Sequence, residues 1–215
     1  MSYIGSKPAS KPVVASDLDP TIITGQTAIG ATPADTDELI ISDAGVLKRM
    51  DYSHIKGGGK VGQVVSTTKT DTFTSNSQTF TDVTGMSVAI TPSASSSKVL
   101  VFAKVSCGQP SGNMVMVKVI RDSTDIFIGD AASSRIRTSG SVYGHSSISG
   151  GPIYGTIEVP ILYLDSPSST SELTYKIQFK QGEDLTGALN ASADDSDNAS
   201  RPRTASTITV MEVLA

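Results

Sequence analysis

The chain has 215 residues, enough for one all-β domain with an appendage or for two small domains. Aromatic residues make up 5% and charged residues 18%, and the net charge of -4 lacks the basic excess of a general nucleic-acid binder. The single cysteine, Cys107, excludes an internal disulfide framework.

The opening MSYIGSKPASKP has no apolar core of the kind a secretory signal needs. No run approaches the ~18 apolar residues of a membrane helix. The expectation is a soluble product made in a cytosol, with no membrane insertion. Residues 1–31 carry Pro8, Pro12 and Pro20 and isolated apolar residues, without helical or strand continuity. Such a segment buries too little to offset the entropy of ordering it alone. It reads as an extended arm that docks on a partner through Tyr3, Ile4, Val13, Val14, Ile22 and Ile23.

Residues 32–60 form a second region. ELIISD and VLKRMD flank Ala44-Gly45, which predicts a small β-hairpin. DYSHIK then opens a short helix with Asp51 or Ser53 as its cap. A lone hairpin is marginal in water, so this one must lean on another surface. Asp35, Asp37, Glu38 and Asp43 lack the ligand spacing of a calcium loop and read as solvated charge. His54 has no second ligand at metal spacing. Gly57-Gly58-Gly59 is a hinge, and GGGKVG fails as a phosphate loop because Val61 follows Lys60 where Ser or Thr is required.

From residue 61 to 215 the chain reads as strand and turn in succession. QVVSTTKTDTFTSN supplies an opening strand, and QTFTDVTG and MSVAITP supply the next pair. In KVLVFAKVSC, Val99, Val101, Ala103, Val105 and Cys107 share one face, while Leu100, Phe102, Lys104 and Ser106 share the other. That pattern predicts a strand in the middle of a sandwich, with Cys107 a small buried side chain. GNMVMVKVIRD places Val115, Val117 and Val119 opposite Met114, Met116, Lys118 and Ile120. TDIFIGDA is short, and residues 131–155 read as a Ser/Gly-rich loop containing one strand. Pro160 within TIEVPILYLDSP implies an edge or a bulge. SELTYKIQFKQ points Tyr175, Ile177 and Phe179 inward. DLTGALNAS adds a short strand, residues 193–203 a polar loop, and RTASTITVMEVLA a final strand.

That final strand is apolar on both faces, with Ile208 and Val210 on one and Met211 and Val213 on the other. Sheet edges are normally blunted by charge, so it belongs at a central position or beneath another subunit. Eight to ten antiparallel strands over this length fit a jelly-roll β-sandwich. The predicted organisation is an arm at 1–31, a hairpin module with a glycine hinge at 32–60, and a jelly roll at 61–215. Met114, Met116, Met211 and Val213 are the expected oligomer interface.

No catalytic, cofactor or metal site is predicted. His145 beside Ser146 and Ser147 lacks the strand-turn-helix elbow of a hydrolase. Asp194, Asp195, Asp197 and Asn198 lack the Gly and Glu that complete a calcium loop. Arg135 and Arg137 are assigned first to these aspartates, then to a neighbouring subunit, then to a sugar carboxylate. No carboxylate pair stands out as a glycosidase site.

In strand spacing and in ending on a strand, the chain resembles the trimeric jelly rolls of the tumour necrosis factor and complement head type. Over most of its length it is also similar to small tail-fibre or virion structural proteins of marine tailed bacteriophages. The residues that carry this likeness are MSYIG, PADTDELIISDAGVLKRMDYSHIK, GKVGQVVSTTKTDTFT, TGMSVAITPSASSSKVLVFAKVS, YLDSP, TYKIQFK and RTASTITVMEV. The resemblance implies an oligomeric virion component synthesised in a cytosol and carries over no catalytic motif. Together with the arm and the apolar faces, it makes the expected protein a non-enzymatic homotrimer that attaches to other virion proteins, tail or capsid, and contacts a host surface glycan or protein. The alternatives are a capsid decoration protein and, from another class, a carbohydrate-binding module or small depolymerase.

Overall fold

A computed structural model describes residues 27, 29–44, 46–55, 60–144 and 154–215. The chain divides into two compact units, Met1–Gly57 and Gly58–Ala215.

In the first unit, β1 (Glu38–Asp43) and β2 (Val46–Asp51) pair antiparallel, with Glu38 opposite Asp51 and Asp43 opposite Val46. Ala44 turns the chain with φ of 50°, the left-handed backbone that a two-residue hairpin loop demands. A 3-10 turn over Tyr52–His54 follows. Asp51 stands at its N-cap position but makes no side-chain capping bond, so the expected cap is positional only.

The second unit is a sandwich of two antiparallel sheets. Its strands are β3 (Val61–Lys69), β4 (Phe73–Ser75), β5 (Thr81–Ile90), β6 (Lys98–Gly108), β7 (Met114–Arg121), β8 (Thr124–Ile126), β9 (Gly140–Tyr143), β10 (Ile157–Asp165), β11 (Leu173–Gln181), β12 (Gly187–Leu189) and β13 (Ser206–Val213). One sheet places β13 between β3 and β6, with β10 on the far side of β6 and short β12 and β4 continuing at one end. The other runs β5, β11, β7, with β8 and β9 sharing the last edge. Following the chain, β3, β5, β6 and β7 alternate between sheets. β9 stays beside β7, and β10, β11 and β13 alternate again. This is the jelly-roll order, two Greek keys wrapped together.

The period-2 pattern explains the core. Val99, Val101, Ala103, Val105 and Cys107 of β6 point inward and are buried. Tyr175, Ile177 and Phe179 of β11 meet them from the other sheet and are fully buried. Each such side chain contributes about 1.5–3 kcal/mol by leaving water. β13 is a central strand, paired to both β3 and β6; its Ile208 and Val210 are buried in the core, while Met211 and Val213 lie half-buried on the outer face of the sheet.

One expectation is corrected. The stretch from Thr81 to Ile90 is a single strand rather than a pair. The apparent break at Gly85 is an irregularity in its pairing with β11, which shifts register between Lys176 and Gln178. Gly85 has φ of 81°, so the residue that reads as a turn in sequence instead absorbs a bulge.

Candidate interaction surface

Three acidic residues of the hairpin unit, Asp37, Glu38 and Asp43, are held within it. Glu38 pairs with Arg49 at 2.9 Å, and Asp43 pairs with Lys48. Asp37 Oδ2 accepts the Ala34 amide at 2.9 Å. His54 lines an open concavity of the hairpin together with Asp43, Lys48, Arg49 and Asp51. Alternating charges there leave no set of ligands converging on one point.

Two aspartates of the 193–203 loop, Asp194 and Asp195, are likewise held. Arg201 donates to Asp194 Oδ2 through Nη2 at 2.9 Å and Nε at 3.1 Å, and its guanidinium lies 3.7 Å from the centre of the Tyr154 ring. Arg203 donates to Asp195 Oδ2 at 2.7 Å. Asn198 Oδ1 accepts from the amide and hydroxyl of Ser200. The Arg201 hydrogen bond holds the Asp194 carboxyl below the usual carboxylate range, against a small opposing effect of burial. The assignment of Arg135 and Arg137 to these aspartates is therefore corrected. Arg137 Nε donates instead to the Gly129 carbonyl at 2.6 Å, while the arginines next along the loop reach the carboxylates first. His145, Ser146 and Ser147 lie outside the described residues.

Cys107 is buried in the sandwich, and burial, with Glu158 nearby, pushes its thiol well above the ordinary range. It is a small apolar side chain under these conditions.

The four expected interface residues fall on two different sheets. Met114 and Met116 belong to β7, Met211 and Val213 to β13. Met116 is only 5% exposed within the single chain, whereas Met114, Met211 and Val213 are half-buried. Tyr3, Ile4, Val13, Val14, Ile22 and Ile23 lie outside the described residues.

Two buried carboxylates escaped the sequence reading. Asp165, at the end of β10, accepts the Tyr175 hydroxyl at 2.7 Å and Arg121 Nη1 at 2.5 Å. Glu212, on β13, accepts the amide and hydroxyl of Ser93, both at 2.6 Å, and Gln63 Nε2 at 3.1 Å. The signal was present in the alternation. Asp165 is in phase with inward Val159 and Ile161, and Glu212 with inward Ile208 and Val210. A carboxylate in an inward phase needs donors, and both have them. They tie strands together rather than face solvent.

No protein-family description and no curated protein sequence matches this chain. Among solved structures, the chain is similar to the VP2 subviral particle of infectious bursal disease virus, with 12% identity and a TM-score of 0.37, covering 84% of this chain and 43% of that one. A second structure, of T=1 particles derived from the same virus, gives 13% identity and a TM-score of 0.36, covering 84% of this chain and 42% of the other. The chain thus spans less than half the length of these capsid proteins.

Proposed function

We propose that this protein is a non-enzymatic structural component of a bacteriophage virion, a trimeric fibre or appendage. The arm at 1–31 and the hairpin module at 32–60 attach to other virion proteins, and the jelly roll at 61–215 points outward, where it contacts a host glycan or protein. The observation that carries this reading is the incompleteness of the hairpin unit. Ile40 is 79% exposed, and Leu39 and Val46 are also exposed. Leu39 and Ile40 are consecutive in a strand, so they project from opposite faces. A two-stranded sheet with apolar side chains open on both faces lacks a core of its own and is stabilised by a surface it docks on. The resemblance of the quoted segments to phage tail-fibre and virion proteins favours a phage particle. The ion pairs of Glu38, Asp43, Asp194 and Asp195 support a structural rather than a catalytic role for these carboxylates.

The test is incorporation. Protein lacking residues 1–31, and protein carrying Ile40→Lys, are supplied during particle assembly, and purified virions are probed for each. Both are expected to be absent from particles while the soluble proteins keep the thermal unfolding of the intact jelly roll. Normal incorporation of both would overturn the attachment reading. Attachment to the head rather than the tail, seen in a particle reconstruction, would favour a capsid decoration protein.

A further inference from the structure

The outer face of the β3-β13-β6-β10 sheet is apolar across all four strands. The pairing registers align Val64, Met211, Leu100 and Leu164 in one cross-strand row. Ser66, Thr209, Phe102 and Leu162 form the next row. Leu162 is 62% exposed, Val64 57%, Phe102 47% and Leu164 44%, and Leu100 and Met211 are half-buried. These two rows contain no charged residue. Their two hydroxyls satisfy each other, Ser66 Oγ lying 2.8 Å from Thr209 Oγ1. The flanking rows of this face bring in charge: Lys98 beside Val213 on one side, and on the other Lys104 and Glu158, which approach each other at 3.7 Å.

We propose that this sheet face is the surface through which copies of the chain associate. The proposal rests on the trimer reading above and deepens it by naming the face. The chemistry of the patch selects the occupant. A nucleic acid or a glycan binds through charges and directional hydrogen bonds, and these two rows offer neither. A membrane surface favours a rim rich in basic residues, whereas the rim here has only Lys98 and Lys104, the latter matched by Glu158. A surface that carries no charge and leaves no hydroxyl unsatisfied is complementary to another of the same kind, and every copy of the chain presents one. Four strands about 4.8 Å apart, with same-face rows about 6.8 Å apart, give about 260 Å² for the two uncharged rows and on the order of 600 Å² for all five rows, with the rows of Lys98, Lys104 and Glu158 as a polar rim. A standard interface takes about 800 Å² from each partner.

This face contains Met211, one of the expected interface residues, and replaces buried Met116 with Leu162, Phe102 and Val64 as the residues that carry association. Scattering-derived mass of the full chain measures it directly. The wild type is expected at three times 22.3 kDa, and the double variant Phe102→Lys/Leu162→Lys at one chain mass, with its circular dichroism unchanged. A second readout uses Leu164→Cys. Because Cys107 is buried, the introduced thiol is the accessible one, and a short bifunctional maleimide is expected to link chains in high yield. If the wild type is a trimer and the double variant remains one, with no cross-linking at Leu164→Cys, this face is overturned while the trimer reading stands. If the wild type is a monomer at tens of micromolar, both fall, and the virion reading is still judged separately by incorporation.

Discussion

Tyr175 donates its hydroxyl to Asp165 across 2.7 Å, and the two residues belong to opposite sheets of the sandwich. Arg121, one strand over from Tyr175, donates to the same carboxylate oxygen. Burial raises the Tyr175 hydroxyl far above its ordinary range, and the Asp165 carboxylate adds to that rise, so it remains a donor at any working pH. The contact ties the end of β10 to β7 and β11. Tyr175→Phe removes one hydrogen bond to a charged acceptor and is expected to cost about 1.5–3 kcal/mol. Asp165→Ala strands the Arg121 cation and the Tyr175 hydroxyl together and is expected to cost more, about 3–5 kcal/mol. Urea unfolding midpoints at fixed m-value check the order. Equal losses would show that the arginine finds water freely.

Acid should weaken the fold partly through Glu212. The hydrogen bonds from Ser93, with a lesser one from Gln63, hold its carboxyl below the ordinary value of 4.5, with burial working the other way. The folded carboxylate therefore binds a proton less readily than the unfolded one. Its stabilisation is fully present above the ordinary value and is lost as pH falls through the depressed folded value. Glu212→Gln is expected to be less stable than wild type at pH 7, with the gap narrowing on acidification below about pH 4.5. Melting temperatures of both proteins across that window test it, and a gap that widens at low pH would refute it.

Calcium and chelators should leave the jelly roll unchanged. Asp194 and Asp195 are engaged by Arg201 and Arg203, so a cation would have to displace two guanidinium groups. A cation bound at a hundredfold its dissociation constant would add about 2.7 kcal/mol of stability. The expected result is coincident unfolding curves in calcium and in chelator. A chelator-dependent loss would reopen the loop as a metal site.

Gly108 ends β6 where β12 crosses it, and a Cβ there would stand 2.0 Å from the Ala191 carbonyl oxygen. Backbone cannot yield as a flexible side chain does. Gly108→Ala is expected to destabilise by about 1–3 kcal/mol or more, the cost of overpacking a core. At Gly129 the same Cβ meets nothing within 4 Å, and Gly129→Ala serves as the near-neutral control. Thermal melts of the two variants should separate clearly.

Most strands were legible because their side chains alternate. β1 and β2 match ELIISD and VLKRMD, and the inward set on β11 is the one that its Tyr, Ile and Phe spacing predicts. Thr81 to Ile90 misled because glycine within a polar run signals a turn whether the chain reverses or merely bulges. Arg137 misled because charge matching along a sequence ignores reach. Arg201 and Arg203 stand in the same loop as the aspartates they hold.

The class of fold is legible in the sequence alone. Period-2 patterning, short spacing between strands and the apolar final strand all follow from local steric and burial preferences that each segment carries alone. The burial of Cys107 is legible there too, since its phase matches Val99 to Val105. Only the tertiary structure decided which strands are neighbours, and with them the inward carboxylates and the outer apolar face. Val64, Leu100, Leu164 and Met211 come from four separated strands and are unremarkable singly. They become one surface because hydrogen-bond register, a property of pairs of strands, lines them up about 4.8 Å apart.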